Sequence, residues 1–121
     1  MSTVPSYSSD ENAKPLDAGK ILNEFRDQPE LISRLLQLFI AETQKDYDGL
    51  ADAFAASDPS RIVRIAHRLK GAAATVGAEP LRAEAARIEG LARQGDLQQA
   101  RDRMTTLHSE FDRLHEYLAE F

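Results

Sequence analysis

The chain has 121 residues, a net charge of −5 and no cysteine. That length suits one domain with a single core; the composition excludes disulfides, thiolate metal sites and a cysteine nucleophile, and the acidic balance argues against non-specific nucleic-acid binding. No run approaches the roughly 18 apolar residues of a membrane span, and no basic stretch followed by an apolar one opens the chain, so a soluble, cytoplasmic protein is expected.

Residues 1–14 are rich in Ser, Pro, Asn and Asp without apolar period and read as a disordered lead-in or linker, leaving 15–121 as the domain. Leu16, Ile21, Leu22 and Phe25 outline a short amphipathic helix, capped by Asp17, that can lid one end of a bundle. Pro29 and Glu30 open a second, long helix reaching about Ala56. Its stripe is Ile32, Leu36, Phe39, Thr43, Tyr47, Leu50 and Phe54, widened in the first half by Leu31, Leu35, Leu38 and Ile40. Asp58-Pro59 ends it and caps a third helix, which closes near Gly77, a natural left-handed C-cap.

Glu79-Pro80 starts a fourth helix with Leu81, Ala85, Ile88, Leu91 and Ala92 on its core face, ended by Gly95-Asp96. The fifth keeps a heptad, with Leu97, Met104, Phe111 and Leu118 at a and Ala100, Leu107, Leu114 and Phe121 at d. Such a seam admits a dimeric coiled coil, but three preceding amphipathic helices on short loops offer it a partner inside the same chain. The fold expected is all-α, an antiparallel four-helix bundle with a short N-terminal capping helix.

The third helix holds the candidate chemistry. With about 100° per residue, Ile65, Ala66, Leu69, Ala72, Ala73 and Val76 fall within roughly 80° of Ile62 and form the buried face, whereas His67 lies about 140° away. Val63 and Gly71 lie one turn to either side of His67, Ala74 two turns after it, and Lys70 beside it. A glycine inside a helix costs about 1 kcal/mol relative to alanine, and nothing in the pattern ends the helix at Gly71. Gly71 and Ala74 leave a low surface that another protein can approach closely, and Lys70 is placed to meet an anion at the ring. A plain surface histidine beside an incidental glycine is the alternative. Between Pro59 and Ala78 the only charged side chains are Arg61, Arg64, Arg68 and Lys70, a basic stripe on an acidic chain. It suits an acidic partner or a phosphoryl group, or is a solvated face.

The string His67-Arg68-Leu69-Lys70-Gly71, with a small-residue run after it and Gly77 ten residues beyond the histidine, resembles the signature of histidine phosphotransfer (HPt) domains, intermediates of two-component phosphorelays. The order and lengths of the helices from about Leu16 to Phe121 agree with that family. The resemblance implies that His67 accepts a phosphoryl group from a receiver-domain aspartate and passes it to another, as a monomer. The partners implied are response-regulator receiver domains and a (hybrid) histidine kinase, with Mg²⁺ held by the receiver and no cofactor in this chain.

The residues support such chemistry on their own terms. A neutral imidazole is a competent nucleophile toward phosphorus if one nitrogen keeps its proton and is held from behind, leaving the other outward. A carboxylate does this and stabilises the positive charge that develops on the ring. Glu89, 22 residues after His67 across a short turn, is the candidate, and glutamate or glutamine near this spacing is similar to what several HPt-like domains use. A solvated glutamate in an alternating charged helix, Arg87-Ile88-Glu89, is the alternative. Lys70 would neutralise phosphoryl oxygens, and Arg64 and Arg68, with Val63 and Ala74, would meet the partner.

No P-loop, other nucleotide loop, Mg²⁺-holding acidic cluster or HExxH occurs in the sequence. His108 and His115 are seven apart, not at the spacing that brings two zinc ligands together. The chain is thus not expected to phosphorylate itself. Two other readings are a non-catalytic helical adaptor or dimeriser using the fifth-helix heptad, and the C-terminal HPt segment of a hybrid sensor kinase with residues 1–14 as its linker.

Overall fold

A computed structural model describes residues 15–17 and 23–119. The lead-in over 1–14, most of the short first helix and the heptad position of Phe121 lie outside the described residues; residues 23–25 are helical. Four long helices follow: α1 (Pro29–Ala55), α2 (Pro59–Val76), α3 (Glu79–Arg93) and α4 (Leu97–Ala119). There is no strand among the described residues, and none of the helices they form is long and apolar enough to cross a membrane.

Three turns of one design connect the helices and make each antiparallel to the last. In each, the residue in the left-handed region lies between two backbone bonds that close the helix end: Asp58 N–H to Ala53 O (3.0 Å) around Ser57, Ala78 N–H to Ala73 O (2.8 Å) around Gly77, and Asp96 N–H to Leu91 O (2.9 Å) around Gly95. This double closure satisfies carbonyls that a helix end leaves orphaned. The φ angles are 50° at Ser57, 75° at Gly77 and 81° at Gly95, so one of the three turns holds a side chain where glycine is favoured. Asp58 and Asp96 then cap the next helices, accepting from Arg61 N–H at 3.2 Å and Gln99 N–H at 3.0 Å.

Helix α2 is the middle element, packed between α1 and α3, and α4 packs mainly on α3. Its inward residues are Ile62, Ile65, Ala66, Leu69, Ala73 and Val76, the expected face except for Ala72, which is half-buried at its edge. The heptad seam of α4 is consumed within the chain: Ala100, Leu107, Phe111 and Leu114 are buried, with Leu97, Met104 and Leu118 packed against the core. Leu16 is fully buried, and Asp17 N–H donates to Gly77 O at 2.9 Å, tying the N-terminal segment to the α2–α3 turn.

Two expectations about faces need correction. Leu38, read as widening the α1 stripe, is 58 % exposed, because it stands about 200° around the helix from buried Leu36 and faces away from the bundle. Charged side chains also stand where the stripes read as apolar: Asp46 on α1, Glu84 and Glu89 on α3 and Glu110 on α4 are buried. Each has a cation, as a buried charge must. Arg103 grips Glu84 with two bonds (3.0 and 2.6 Å), clasping α4 to α3, and Arg113 bonds Glu110 at 2.9 Å.

Candidate functional site

His67 projects from the middle of α2 on the side opposite the core, its side chain 64 % exposed. Glu89, on α3, stands behind it with its side chain only 7 % exposed, and His67 Nδ1 lies 2.9 Å from Glu89 Oε2. An ionised carboxylate has no hydrogen to give, so the shared hydrogen belongs to Nδ1 and the lone pair to Nε2.

Two further cations meet the same carboxylate. Lys70 Nζ, one turn along α2, lies 2.7 Å from Oε1; Arg93, one turn along α3, donates to Oε2 at 2.9 Å. Burial pushes the Glu89 carboxyl up, but the hydrogen bonds from Lys70, Arg93 and His67 outweigh it and hold the group down at about 2. Glu89 therefore stays ionised throughout the physiological range. With one anion and two cations around a neutral imidazole, the cluster carries a surplus positive charge that favours an arriving dianion.

Lys70 is not the free ammonium that its position on the helix suggests. It is folded onto Glu89, because a buried carboxylate within reach attracts it more strongly than solvent does. Glu89 itself is buried rather than solvated, since its place beside Ile88 turns it into the α2–α3 seam. Gly71 lies on open surface: a Cβ built there would meet nothing within 4 Å. The fold makes no demand for glycine at this position.

The remaining expected residues are spread around this centre. Arg64 is exposed, and Val63 and Ala74 are half-buried at the margin of the apolar face. Arg68 is engaged within the chain rather than open for a partner alone: Nε and one terminal nitrogen donate to Asp46 Oδ1 at 2.9 and 2.6 Å, joining α2 to α1. Among the described residues no group of three or more His, Cys, Asp or Glu side chains could hold a metal. His108 and His115 are exposed on α4, His115 Nδ1 lying 3.0 Å from Phe111 O.

Sequence reasoning missed Arg93 and Asp46. Both left a signal: Arg93 stands at i+4 from Glu89, where opposite charges meet on a helix, and Asp46 interrupts the stripe of Thr43, Tyr47 and Leu50, where a carboxylate requires a partner.

The arrangement is an exposed imidazole held by a buried carboxylate, one turn from a glycine on open helix surface. A sequence model of the Hpt domain matches residues 34–117, which contain every residue of this cluster. The chain belongs to the Hpt domain family. It is 22 % identical over 118 residues to the phosphorelay intermediate protein rdeA of Dictyostelium discoideum, a match covering 98 % of this chain and 46 % of that protein. The chain thus spans about half the length of that relative. The crystal structure of histidine-containing phosphotransfer protein B (HptB) from Pseudomonas aeruginosa PAO1 superposes with a TM-score of 0.77 at 26 % identity, covering 84 % of this chain and 88 % of that one. Hpt domains take part in phosphorelays, in which they interact with receiver domains and kinases.

Proposed function

We propose that His67 Nε2 takes a phosphoryl group from the aspartyl phosphate of one receiver domain and gives it to the aspartate of another. The lone pair on Nε2 attacks phosphorus; the N–P bond forms as the P–O bond to the donor aspartate breaks, and that aspartate leaves as a carboxylate. The ring becomes cationic with Nδ1–H still donating to Glu89, which offsets the new charge without taking the proton, the role of an orienting carboxylate in a catalytic triad. Return of the group to an acceptor aspartate reverses each event. Mg²⁺ comes with the receiver, and this chain contributes no metal or cofactor.

The observation that carries this reading is the contact between His67 Nδ1 and Glu89, which leaves Nε2 as the nucleophile on an exposed face. Gly71 supports it: the fold does not need a glycine there, so its cost is explained by the approach of a partner. The receiver docks over α1 and α2 around His67, with Val63 and Ala74 as apolar contacts and Arg64 as a cationic one. Arg68 keeps part of its guanidinium for the partner while bonded to Asp46. The protein acts as a cytoplasmic monomer. An adaptor that dimerises through α4 is disfavoured because the heptad seam is already occupied by its own bundle.

The test is phosphotransfer from a phosphorylated receiver to wild type and to His67→Gln. Acid-labile, base-stable label on the wild type alone is expected. Failure of several receivers to label a folded wild type, or equal labelling of the variant, overturns the assignment.

A further inference from the structure

Glu89 is held by two cations that divide its oxygens between them: Lys70 takes Oε1, and Arg93 takes Oε2, the atom that also faces His67 Nδ1. We propose that Arg93 is a positioning residue that keeps Glu89 in place while Lys70 leaves Oε1 to meet the phosphoryl group on His67. The inference rests on the reading of His67 as the phosphoryl acceptor and adds a division of labour between the two cations.

Lys70 stands three residues after His67 on the same helix, so its flexible stem can bring Nζ to the ring as readily as to Glu89; its side chain is 31 % exposed and has room to move. In the resting protein, however, Nζ is spent on Oε1. Drawing it away strips a buried carboxylate of a partner, and a carboxylate only 7 % exposed holds its counter-charges tightly. With one cation, Glu89 would retain Lys70 and leave the phosphoryl oxygens unpaired.

Arg93 removes that conflict. It approaches from α3 rather than α2, one turn beyond Glu89, and binds the oxygen that Lys70 does not use. Lys70 can therefore depart without displacing Arg93. The carboxylate keeps one fixed cation and the Nδ1–H bond, and the second cation is free to follow the charge. As phosphorus arrives, Lys70 Nζ loses Oε1 and gains a phosphoryl oxygen; when the group leaves, it returns. The Arg93 side chain is 60 % exposed, so its removal is not expected to disturb the core.

The experiment compares single-turnover labelling of wild type, Arg93→Ala, Arg93→Lys, Lys70→Ala and the Arg93→Ala/Lys70→Ala double variant, using a phosphorylated receiver and, separately, phosphoramidate as a small donor. Thermal melts confirm that each variant is folded. Arg93→Ala and Lys70→Ala should each slow labelling by about tenfold, and the double variant, which leaves Glu89 without either cation, should be slower than both. Arg93→Lys, which retains an i+4 cation for Glu89, should recover most of the rate, and the same pattern should hold with phosphoramidate. Wild-type rates in Arg93→Ala overturn the inference. So does a double variant no slower than Lys70→Ala alone, which would mean that Glu89 is not held by Arg93. An effect seen with the receiver but not with phosphoramidate also overturns it, making Arg93 a docking residue. If wild type is not labelled by either donor, the reading of His67 fails instead, a result distinct from each of these.

Discussion

Glu89 Oε2 faces His67 Nδ1 at 2.9 Å across the α2–α3 seam, so a buried carboxylate selects the tautomer of an exposed imidazole. In free histidine the Nε2–H form is the more common neutral tautomer; here the contact reverses that preference and leaves the lone pair of the neutral ring on Nε2. Long-range ¹H–¹⁵N correlation spectra above pH 8 should show His67 as the Nδ1–H tautomer in the wild type and a mixture shifted toward Nε2–H in Glu89→Ala. An unchanged tautomer in the variant would mean that the carboxylate does not orient the ring.

The same carboxylate makes stability depend on acid. Its folded-state value of about 2 lies below the ordinary 4.5, so the unfolded chain binds the proton more readily and stability rises with pH across that window. The contribution is present above about pH 4.5 and lost as pH falls toward 2; by linkage it amounts to at most about 3 kcal/mol. Urea midpoints measured from pH 6 down to pH 2 should fall more steeply for wild type than for Glu89→Gln, which has no proton to bind. Parallel curves would show that Lys70 and Arg93 do not hold the charge as the distances indicate.

Gly71 separates stability from function. Alanine there meets nothing within 4 Å and gains helix propensity of about 1 kcal/mol, so Gly71→Ala should melt a few degrees higher than wild type. Its transfer rate from a phosphorylated receiver should fall, because the methyl group stands where the partner approaches. A variant both more stable and equally fast would leave the glycine without a role.

The three turns offer a matched pair of substitutions. Ser57 adopts φ 50° where the equivalent positions hold Gly77 and Gly95, and relieving that backbone should let Ser57→Gly stabilise the protein by about 1 kcal/mol. Gly77→Ala should go the other way by more than about 1 kcal/mol, since φ 75° disfavours a side chain. The new Cβ would also stand 2.9 Å from Asp17 Cβ. Thermal melts of the two variants beside wild type check both signs.

Much of this protein was determined by local sequence alone. Helix extents followed from proline at the first helical positions, from Asp58 as a cap, and from Gly77 and Gly95 in the turns, because these act on the backbone of their own segment. The outward placement of His67 followed from the 3.6-residue period of its helix, which needs no knowledge of neighbours. Even the nearness of Glu89 could be anticipated, since a short turn constrains how two antiparallel helices align.

What the tertiary structure decided was which charges meet. Lys70 has equal reach toward a bound anion and toward a carboxylate on the next helix, and only the burial of Glu89 between α2 and α3 selects the carboxylate in the resting protein. Arg93 becomes part of the site because Glu89 has turned inward, and Arg68 is drawn to Asp46 because α1 and α2 pack in one register and not another. Periodicity specifies the direction of a side chain from its own helix axis; the identity of its partner depends on the rotation and register of a second helix, which only packing sets.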